Sequence, residues 1–186
     1  MPETTAPATW TDLLDAARQA RVAQELVEHR PSVAVLGCSD ARVPPSVIFD
    51  QPPGQLFVIR IAGNTACPAA LASLDYAVGK LGVDLVVVLG HTDCGAVAAA
   101  AAGTCGGHLT PVVQPICDLA SEHPDVSPAE LVELNVAATV AALTQHDGPT
   151  GVAARNGTIS IRGAVFDLTS GRLSETGLAG ASPTHA

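Results

Sequence analysis

Two short segments of the sequence contain the side chains best suited to chemistry. Residues 38–42, CSDAR, place a thiol, a carboxylate and a guanidinium at alternate positions, and residues 91–94, HTDC, place an imidazole and a thiol three residues apart. Zinc favours thiolate and imidazole ligands in a tetrahedron, and a catalytic zinc site uses three protein ligands and leaves the fourth position to water. Cys38, His91 and Cys94 are therefore predicted to bind one zinc ion.

Asp40 and Arg42 are predicted to control the fourth position of such a site. Bound zinc lowers the pKa of water toward neutrality and so produces hydroxide as a nucleophile. An Asp two residues from an Arg can accept a charge-assisted, bidentate hydrogen bond from it. Asp40 would then orient the hydroxide while Arg42 holds the carboxylate away from the metal; without that pairing, Asp40 could ligate zinc and close the site. The alternatives are a surface ion pair and a structural zinc site with Asp40 as fourth ligand.

The segments that position these residues are short apolar runs. Residues 32–37, 56–60 and 84–90 are typical of buried parallel strands, and apolar residues at helical spacing predict helices between them. Strands that alternate with helices imply an α/β fold with a central, mainly parallel sheet of four to five strands flanked by helices. Cys38 and His91 fall just beyond strand ends, where sites gather in such sheets.

The whole chain, residues 1–186, is assigned to a single domain with an N-terminal helical arm. This arm is predicted to begin at Thr9 or Thr11 and to end near residues 28–30, before Pro31. The other predicted elements are helices over 68–82, 94–103 and 111–121, a helix that Ser127 caps and that ends at Leu143 or Gln145, and two closing strands joined by a turn at Ser170-Gly171. Both ends of the chain, residues 1–8 and 176–186, are predicted to be mobile.

Charge and composition exclude several partners. Eighteen acidic against nine basic residues give a formal net charge of −9, and no Lys/Arg cluster is present to bind nucleic acid or an anionic membrane surface. No apolar run reaches the ~20 residues that span a bilayer. Because the N-terminus does not read as a signal peptide, a soluble cytoplasmic protein is expected.

The cysteines beyond the two motifs are predicted to be structural. Five cysteines are an odd number in a chain without an export signal, which argues against a disulfide framework. Cys67, Cys105 and Cys117 are accordingly predicted to be small apolar core residues. The histidines that show no ligand spacing are expected to face solvent: His108, His123, His146 and His185.

The two motifs together resemble the signature of the β-class carbonic anhydrases, Cys-x-Asp-x-Arg followed some fifty residues later by His-x-x-Cys. His91 lies 53 positions after Cys38, and the resemblance covers most of residues 29–172. It implies a zinc enzyme that reversibly hydrates carbon dioxide to bicarbonate and a proton, as a homodimer or homotetramer. It also implies that Cys38, His91 and Cys94 hold one zinc ion per chain and that Asp40 and Arg42 form the catalytic dyad.

The resemblance further implies residues of the substrate pocket. Phe57 and Tyr76 match pocket-lining aromatics, part of which come from the neighbouring subunit in family dimers, and Gly63 lies in an AGN loop near the substrate. Many members have Gln at the position of His29, where it hydrogen-bonds substrate. His29 could donate to substrate in the same way, act as a proton shuttle, or simply be a histidine at the end of a helix. Members with a bicarbonate-inhibited closed state often carry Trp at the position of Val35, so this chain is predicted to lack that bicarbonate clamp.

Three other functions are compatible with these residues. Some relatives of the family hydrolyse carbonyl sulfide or carbon disulfide, which are linear and apolar like carbon dioxide. A non-catalytic zinc-binding module would result if Asp40 permanently filled the fourth position. A cysteine hydrolase with Cys38 as nucleophile and His91 as base is the last alternative, and it leaves Cys94 and the Asp40/Arg42 pair unexplained.

Overall fold

A five-stranded sheet organises the computed structural model, which describes residues 9–19 and 29–176. The strands are β1 (Val33–Gly37), β2 (Leu56–Arg60), β3 (Leu85–His91), β4 (Ser160–Phe166) and β5 (Leu173–Glu175). Their spatial order is β2-β1-β3-β4-β5, with parallel pairing throughout except for the antiparallel pair β4–β5. The predicted α/β fold with a mainly parallel sheet is confirmed.

The register of β1 against β3 positions both sequence motifs. Val33 pairs with Leu85 and Gly37 pairs with Leu89, so the two strands end at the same edge of the sheet. Because β2 lies on one side of β1 and β3 on the other, the chain changes direction across the sheet between β1 and β3. A crevice forms at such a switch point, outside the carboxyl ends of the strands.

The described residues contain seven α-helices. They are α1 (Trp10–Gln19), α2 (Pro45–Ile48), α3 (Pro68–Tyr76), α4 (Gly95–Ala101), α5 (Thr110–Glu122), α6 (Pro128–Gln145) and α7 (Pro149–Arg155). Short 3₁₀ turns cover Ala62–Asn64 and Gly107–Leu109, and a π-helical turn at Ala77–Leu81 extends α3. None of these helices combines the length and the apolar composition needed to cross a bilayer.

Helix starts follow the capping rules used on the sequence. The Ser127 hydroxyl accepts a hydrogen bond from the Glu130 N–H, and the Glu130 carboxylate accepts one from the Ser127 N–H, which completes a capping box. At α1, the Thr9 hydroxyl accepts from the Asp12 N–H. Helix α7 was not predicted, because seven residues are too few to show a helical apolar pattern.

Several predictions concern parts of the chain outside the described residues. These parts are residues 20–28 of the predicted arm and, of the segments 1–8 and 176–186 predicted to be mobile, residues 1–8 and 177–186. Residues 29 and 30, at the predicted end of the arm, are described and are not helical. Thr176 is described, and its N–H donates to the Gly163 carbonyl at 2.9 Å, so pairing with β4 continues one residue past β5.

Small aliphatic side chains build the core on both sides of the metal-binding edge. One buried cluster joins the sheet to α3 and α6 through residues such as Leu36, Leu74 and Val136. A second cluster joins Cys38 and Cys94 to α4, α5 and α6. No Phe, Tyr or Trp side chain among the described residues is fully buried. Two of the predicted metal ligands, Cys38 and Cys94, are therefore part of the packed interior.

The prediction that Cys105 and Cys117 form no disulfide is wrong, because the two are bonded to each other. Cys117 is a buried core residue, as predicted, and Cys105 is partly buried against the same cluster. The turn at Gly107–Leu109 reverses the chain before α5, and this brings residue 105 back against the side of that helix. A count of cysteines cannot reveal such proximity. Cys67 is a buried free thiol in the cluster beside α3, as predicted.

The prediction for His146 is also wrong, because its ring is half-buried rather than solvent-facing. His146 Nε2 lies 2.9 Å from Asp75 Oδ2, and Asp75 also accepts the Thr150 N–H at 3.0 Å. Burial raises the pKa of Asp75, but these hydrogen bonds outweigh it and the net pKa is lowered. His108 and His123 are exposed as predicted, and His185 lies outside the described residues.

Removal of the disulfide tests its contribution to stability. The bond joins residues 12 apart, and a cross-link that closes a loop of this size stabilises by about 3 kcal/mol through the unfolded state. The Cys105→Ser/Cys117→Ser double variant should therefore lose about 3 kcal/mol of unfolding free energy in equilibrium urea denaturation. Reductant should lower the wild-type midpoint toward that of the variant and leave the variant unchanged. Equal midpoints for oxidised wild type and variant would contradict this.

Candidate metal centre

Cys38, His91 and Cys94 meet at the crevice between β1 and β3. Cys38 follows β1 directly, His91 is the last residue of β3, and Cys94 immediately precedes α4. All three are buried, and their ligand atoms lie within 4.8 Å of one another. The Sγ atoms of Cys38 and Cys94 are 3.9 Å apart. Two thiolates bound to one tetrahedral zinc ion lie about 3.8 Å apart, so the spacing fits that metal.

The turn between β3 and α4 brings His91 and Cys94 to the same side. Asp93 has a φ of 56°, a left-handed conformation that Asp tolerates better than most residues. This single residue reverses the chain direction and allows the helix to begin at Gly95. The prediction that an HxxC spacing serves one metal where a strand turns into a helix agrees with this geometry.

The ring of His91 is oriented so that one nitrogen has no partner. Its Nδ1 lies 2.8 Å from the Thr92 carbonyl, to which it donates as N–H. Thr92 is itself fixed, because its N–H donates to the Phe166 carbonyl and its hydroxyl accepts the Leu168 N–H. His91 Nε2 is buried and has no hydrogen-bond partner. A metal ion would satisfy such a nitrogen beside two thiols, and the Nδ1 contact is of the kind that orients a ligating His.

The contact between the two sulfur atoms lowers the pKa of Cys38 and raises that of Cys94. The hydrogen bond from Cys94 is the main cause of the lowered pKa of Cys38, and the His91 ring and the Gly63 N–H act in the same direction. The same contact is the main cause of the raised pKa of Cys94, because its ionisation would place a second negative charge beside Cys38. A bound divalent cation would compensate both charges and displace the remaining proton.

Arg42 holds the Asp40 carboxylate beside this donor set. Asp40 Oδ1 accepts from Arg42 Nε at 3.0 Å, and Oδ2 accepts from Arg42 Nη2 at 2.7 Å. The guanidinium keeps the pKa of Asp40 well below its usual range. Asp40 Oδ2 is 3.9 Å from His91 Nε2. The pairing that the sequence left open is therefore present, and Asp40 lies outside the three-ligand group.

Arg60 is a site residue whose contacts the sequence did not reveal. At the end of β2, it donates from Nε to the Cys38 carbonyl at 2.9 Å and from Nη2 to the Asp40 carbonyl. These bonds fix the backbone on both sides of Ser39. The available signal was its position, because an Arg at the carboxyl end of a strand that neighbours β1 is within reach of residues 38–42.

Gly63 contacts the Cys38 sulfur from the opposite loop. Its N–H donates to Cys38 Sγ at 3.4 Å, and its φ is 72°. A Cβ at this position would lie 2.6 Å from Ile116 Cδ1 and 3.2 Å from Ala96 Cβ. Only glycine therefore fits both the backbone conformation and the space. The AGN loop lies at the predicted site, although substrate contact by Gly63 stays a prediction.

The other predicted pocket residues form a separate cluster in the same chain. Phe57 has ring-centroid distances of 6.3 Å to both His29 and Tyr76. Phe57 pairs with Ala34, four residues before Cys38, which corresponds to about 13 Å along the strand. These three side chains come together as a group, but they do not adjoin the metal centre of their own chain.

These features define an α/β protein with a candidate three-ligand metal site at the sheet switch point and an Arg-held carboxylate beside it. A family model described as carbonic anhydrase matches residues 33–173. Carbonic anhydrase 2 of Mycobacterium tuberculosis is 35% identical over 193 residues, which cover 92% of this chain and 93% of that protein. A carbonic anhydrase of Pseudomonas aeruginosa is 38% identical over 159 residues, covering 77% of this chain and 72% of that protein.

Solved structures give the same result. A β-carbonic anhydrase of Aspergillus fumigatus superposes with a TM-score of 0.73 at 31% identity, covering 93% of this chain and 83% of that one. A structure from a study of two tetrameric β-carbonic anhydrases of Sordaria macrospora gives a TM-score of 0.73 at 28% identity, with 82% of each chain covered. The chain therefore belongs to the β-carbonic anhydrase family and is an enzyme of the carbonate dehydratase class.

Substitution of Gly63 tests how tightly this loop is fitted to the metal centre. Gly63→Ala should destabilise by about 1–2 kcal/mol for its left-handed backbone and by a further ~1–3 kcal/mol for overpacking against Ile116, and should weaken zinc binding. Gly82→Ala is the matched control, because Gly82 has a φ of 75° and open space around it. Urea denaturation and zinc competition titration measure the two effects. Equal stability and equal zinc affinity for both variants would contradict the close fit.

Proposed function

We propose that this chain is a zinc-dependent carbonic anhydrase that converts carbon dioxide and water to bicarbonate and a proton, reversibly. The observation that carries the proposal is the buried, unpaired Nε2 of His91 beside two thiols, with an Arg-held carboxylate next to them. Cys38, His91 and Cys94 would hold the zinc ion. Zinc would supply the Lewis acidity that activates water near neutral pH.

Asp40 is the residue that would orient the attacking water. Its carboxylate is ionised at neutral pH, Arg42 lowers its pKa further, and the ionised group can only accept hydrogen bonds. The bidentate contact with Arg42 and the carbonyl contacts from Arg60 hold it at a fixed position beside His91. In this arrangement the Asp40 carboxylate would accept a hydrogen bond from one O–H of the water and so direct the oxygen lone pair toward carbon dioxide. The proton that leaves passes to buffer.

A second copy of the chain would complete the substrate pocket. The cluster of His29, Phe57 and Tyr76 is about 13 Å along β1 from Cys38, which supports lining by the neighbouring subunit, as the family resemblance implies. Apolar side chains left exposed support an extensive interface: Trp10 at 72%, Leu13 at 54% and Val58 at 40%. A homodimer or homotetramer is therefore proposed, and the S. macrospora relatives are described as tetrameric.

The other functions have less support. Carbonyl sulfide and carbon disulfide hydrolysis would use the same residues, but the named relatives are carbonic anhydrases. A non-catalytic zinc module requires Asp40 as fourth ligand, whereas Arg42 occupies both carboxylate oxygens. A Cys38 nucleophile does not account for Cys94. Cytoplasmic location stays a prediction, and the disulfide is a feature uncommon in a reducing compartment.

Zinc content and carbon dioxide hydration test the proposal together. Purified protein should contain one zinc ion per chain and catalyse hydration in stopped-flow assays with a pH indicator. Cys38→Ala should lose zinc and at least ~100-fold in activity, because a ligand is at least as important as the residues that orient it. Cys67→Ala, a buried free thiol outside the donor set, should keep both.

Full activity in Cys38→Ala would overturn the proposed ligand set. Zinc-loaded protein that shows no hydration but releases sulfide from carbonyl sulfide would identify the alternative substrate. Both assays use the same protein preparation, so inactive protein cannot be mistaken for a preference for carbonyl sulfide.

The Asp40–Arg42 pair is tested by Arg42→Gln. Without the guanidinium, the carboxylate loses its bidentate partner and can turn toward the metal, so kcat/KM should fall by roughly 100-fold while zinc content stays at one per chain. The matched control is Arg162→Gln, which removes an exposed pair with Glu175 on β4 and β5 and should leave activity unchanged. Unchanged kcat/KM in Arg42→Gln would contradict the role of the pair.

A further inference from the structure

Helix α6 carries one buried amide, Asn135, on a mostly apolar face whose other buried polar side chain is Thr139. Asn135 is 2% exposed and lies among buried side chains of α6 that include Leu131, Val132 and Val136. Its Nδ2 donates to the Gly63 carbonyl at 2.8 Å, across 72 residues of sequence. Burial of an amide costs free energy that an apolar residue would not incur. The hydrogen bond to the Gly63 carbonyl is the interaction that offsets this cost.

Gly63 links this amide to the metal centre. The Gly63 carbonyl accepts from Asn135, and the Gly63 N–H donates to Cys38 Sγ at 3.4 Å. The two groups flank a single Cα, with φ 72° and ψ 15°. The angles φ and ψ relate the direction of the carbonyl to that of the N–H. A hydrogen bond that holds the carbonyl therefore restricts the directions in which the N–H can point. The chain of contacts runs from Asn135 through one residue to the sulfur.

Packing also restricts movement of the loop that contains Gly63. Ile116 and Ala96 lie against the position that a Gly63 Cβ would occupy, so they confine the loop on that side. The Asn64 N–H donates back to the Ile61 carbonyl at 2.8 Å, which tightens the turn itself. Asn135 supplies the polar contact from the helix side, and its loss would leave the Gly63 carbonyl without this donor.

We propose that Asn135 is a positioning residue of the metal centre, which holds Gly63 so that its N–H donates to the Cys38 sulfur. The proposal rests on the proposed function, because it assumes that Cys38 ligates zinc. An N–H donor withdraws charge from a thiolate and weakens its donation to the metal, and partners that orient or polarise ligands typically change metal affinity by 10–100-fold. Asn135 thus tunes the centre without contact to metal or substrate.

Cobalt substitution gives a readout that a merely structural role would not move. Thiolate-to-cobalt charge-transfer absorption depends on the electron density at sulfur. Asn135→Leu removes the donor to the Gly63 carbonyl, so the Gly63 N–H is no longer held toward the Cys38 sulfur. That sulfur should then become more electron-rich, and the band should shift to longer wavelength. Zinc affinity should change by about 10-fold or more in competition titration. Asn135→Ala should act in the same way and serves where Leu prevents folding. Asn135→Gln, which keeps an amide donor, should shift the band less.

Leu143→Ala is the control for lost stability. Leu143 is fully buried on the same helix, in the cluster beside α3 and away from Gly63, so its truncation lowers stability and should leave the cobalt band and zinc affinity as in wild type. Asn135 variants that lose stability yet keep the wild-type band and affinity would overturn the positioning role alone. Wild-type protein that binds neither cobalt nor zinc would instead overturn the proposed function.

Discussion

The parallel register of β1 against β3 is the constraint on which the metal centre depends. Gly37 is paired with Leu89, so Cys38 and His91 leave the same edge of the sheet within reach of each other. A slip of two residues would move one ligand by about 6.6 Å, which exceeds the 4.8 Å that separates the most distant ligand atoms. A slip of one residue would turn the side chains of a whole strand to the opposite face. The buried aliphatic clusters on the sheet maintain this register and therefore the site.

Charge compensation explains the arrangement around this edge. Two buried thiols and a buried imidazole nitrogen without a partner are costly in a protein interior, and a cation bound among them would satisfy all three. Arg42 and Arg60 approach from the solvent side and bind the Asp40 carboxylate and the neighbouring carbonyls. Groups of opposite charge thus alternate across a short distance: the cysteine sulfurs, the candidate metal position, the Asp40 carboxylate and the Arg42 guanidinium. Each group is held by the charge beside it.

The fold around the centre also shows where local patterns fail. The strands, the capping box at Ser127 and the turn after His91 are local features, and they were predicted correctly from propensity and spacing. The Cys105–Cys117 disulfide and the His146–Asp75 contact join residues brought together by helix packing. Neither pair has a sequence pattern of its own. The cysteine count therefore led to the wrong prediction for Cys105 and Cys117, and the lack of ligand spacing led to the wrong prediction for His146.

The sequence by itself determined the class of fold, the three metal-ligating residues and the Asp40/Arg42 pair as candidates, because strand ends and motif spacing are properties of contiguous chain. Only the tertiary structure decided that Arg42 binds Asp40 through both oxygens, that Arg60 fixes the adjacent backbone, and that Asn135 reaches Gly63. It also separated the aromatic cluster of Phe57 and Tyr76 from the metal centre of the same chain. The physical reason is that hydrogen-bond direction depends on the relative placement of whole elements, and that placement is set by packing across the sheet.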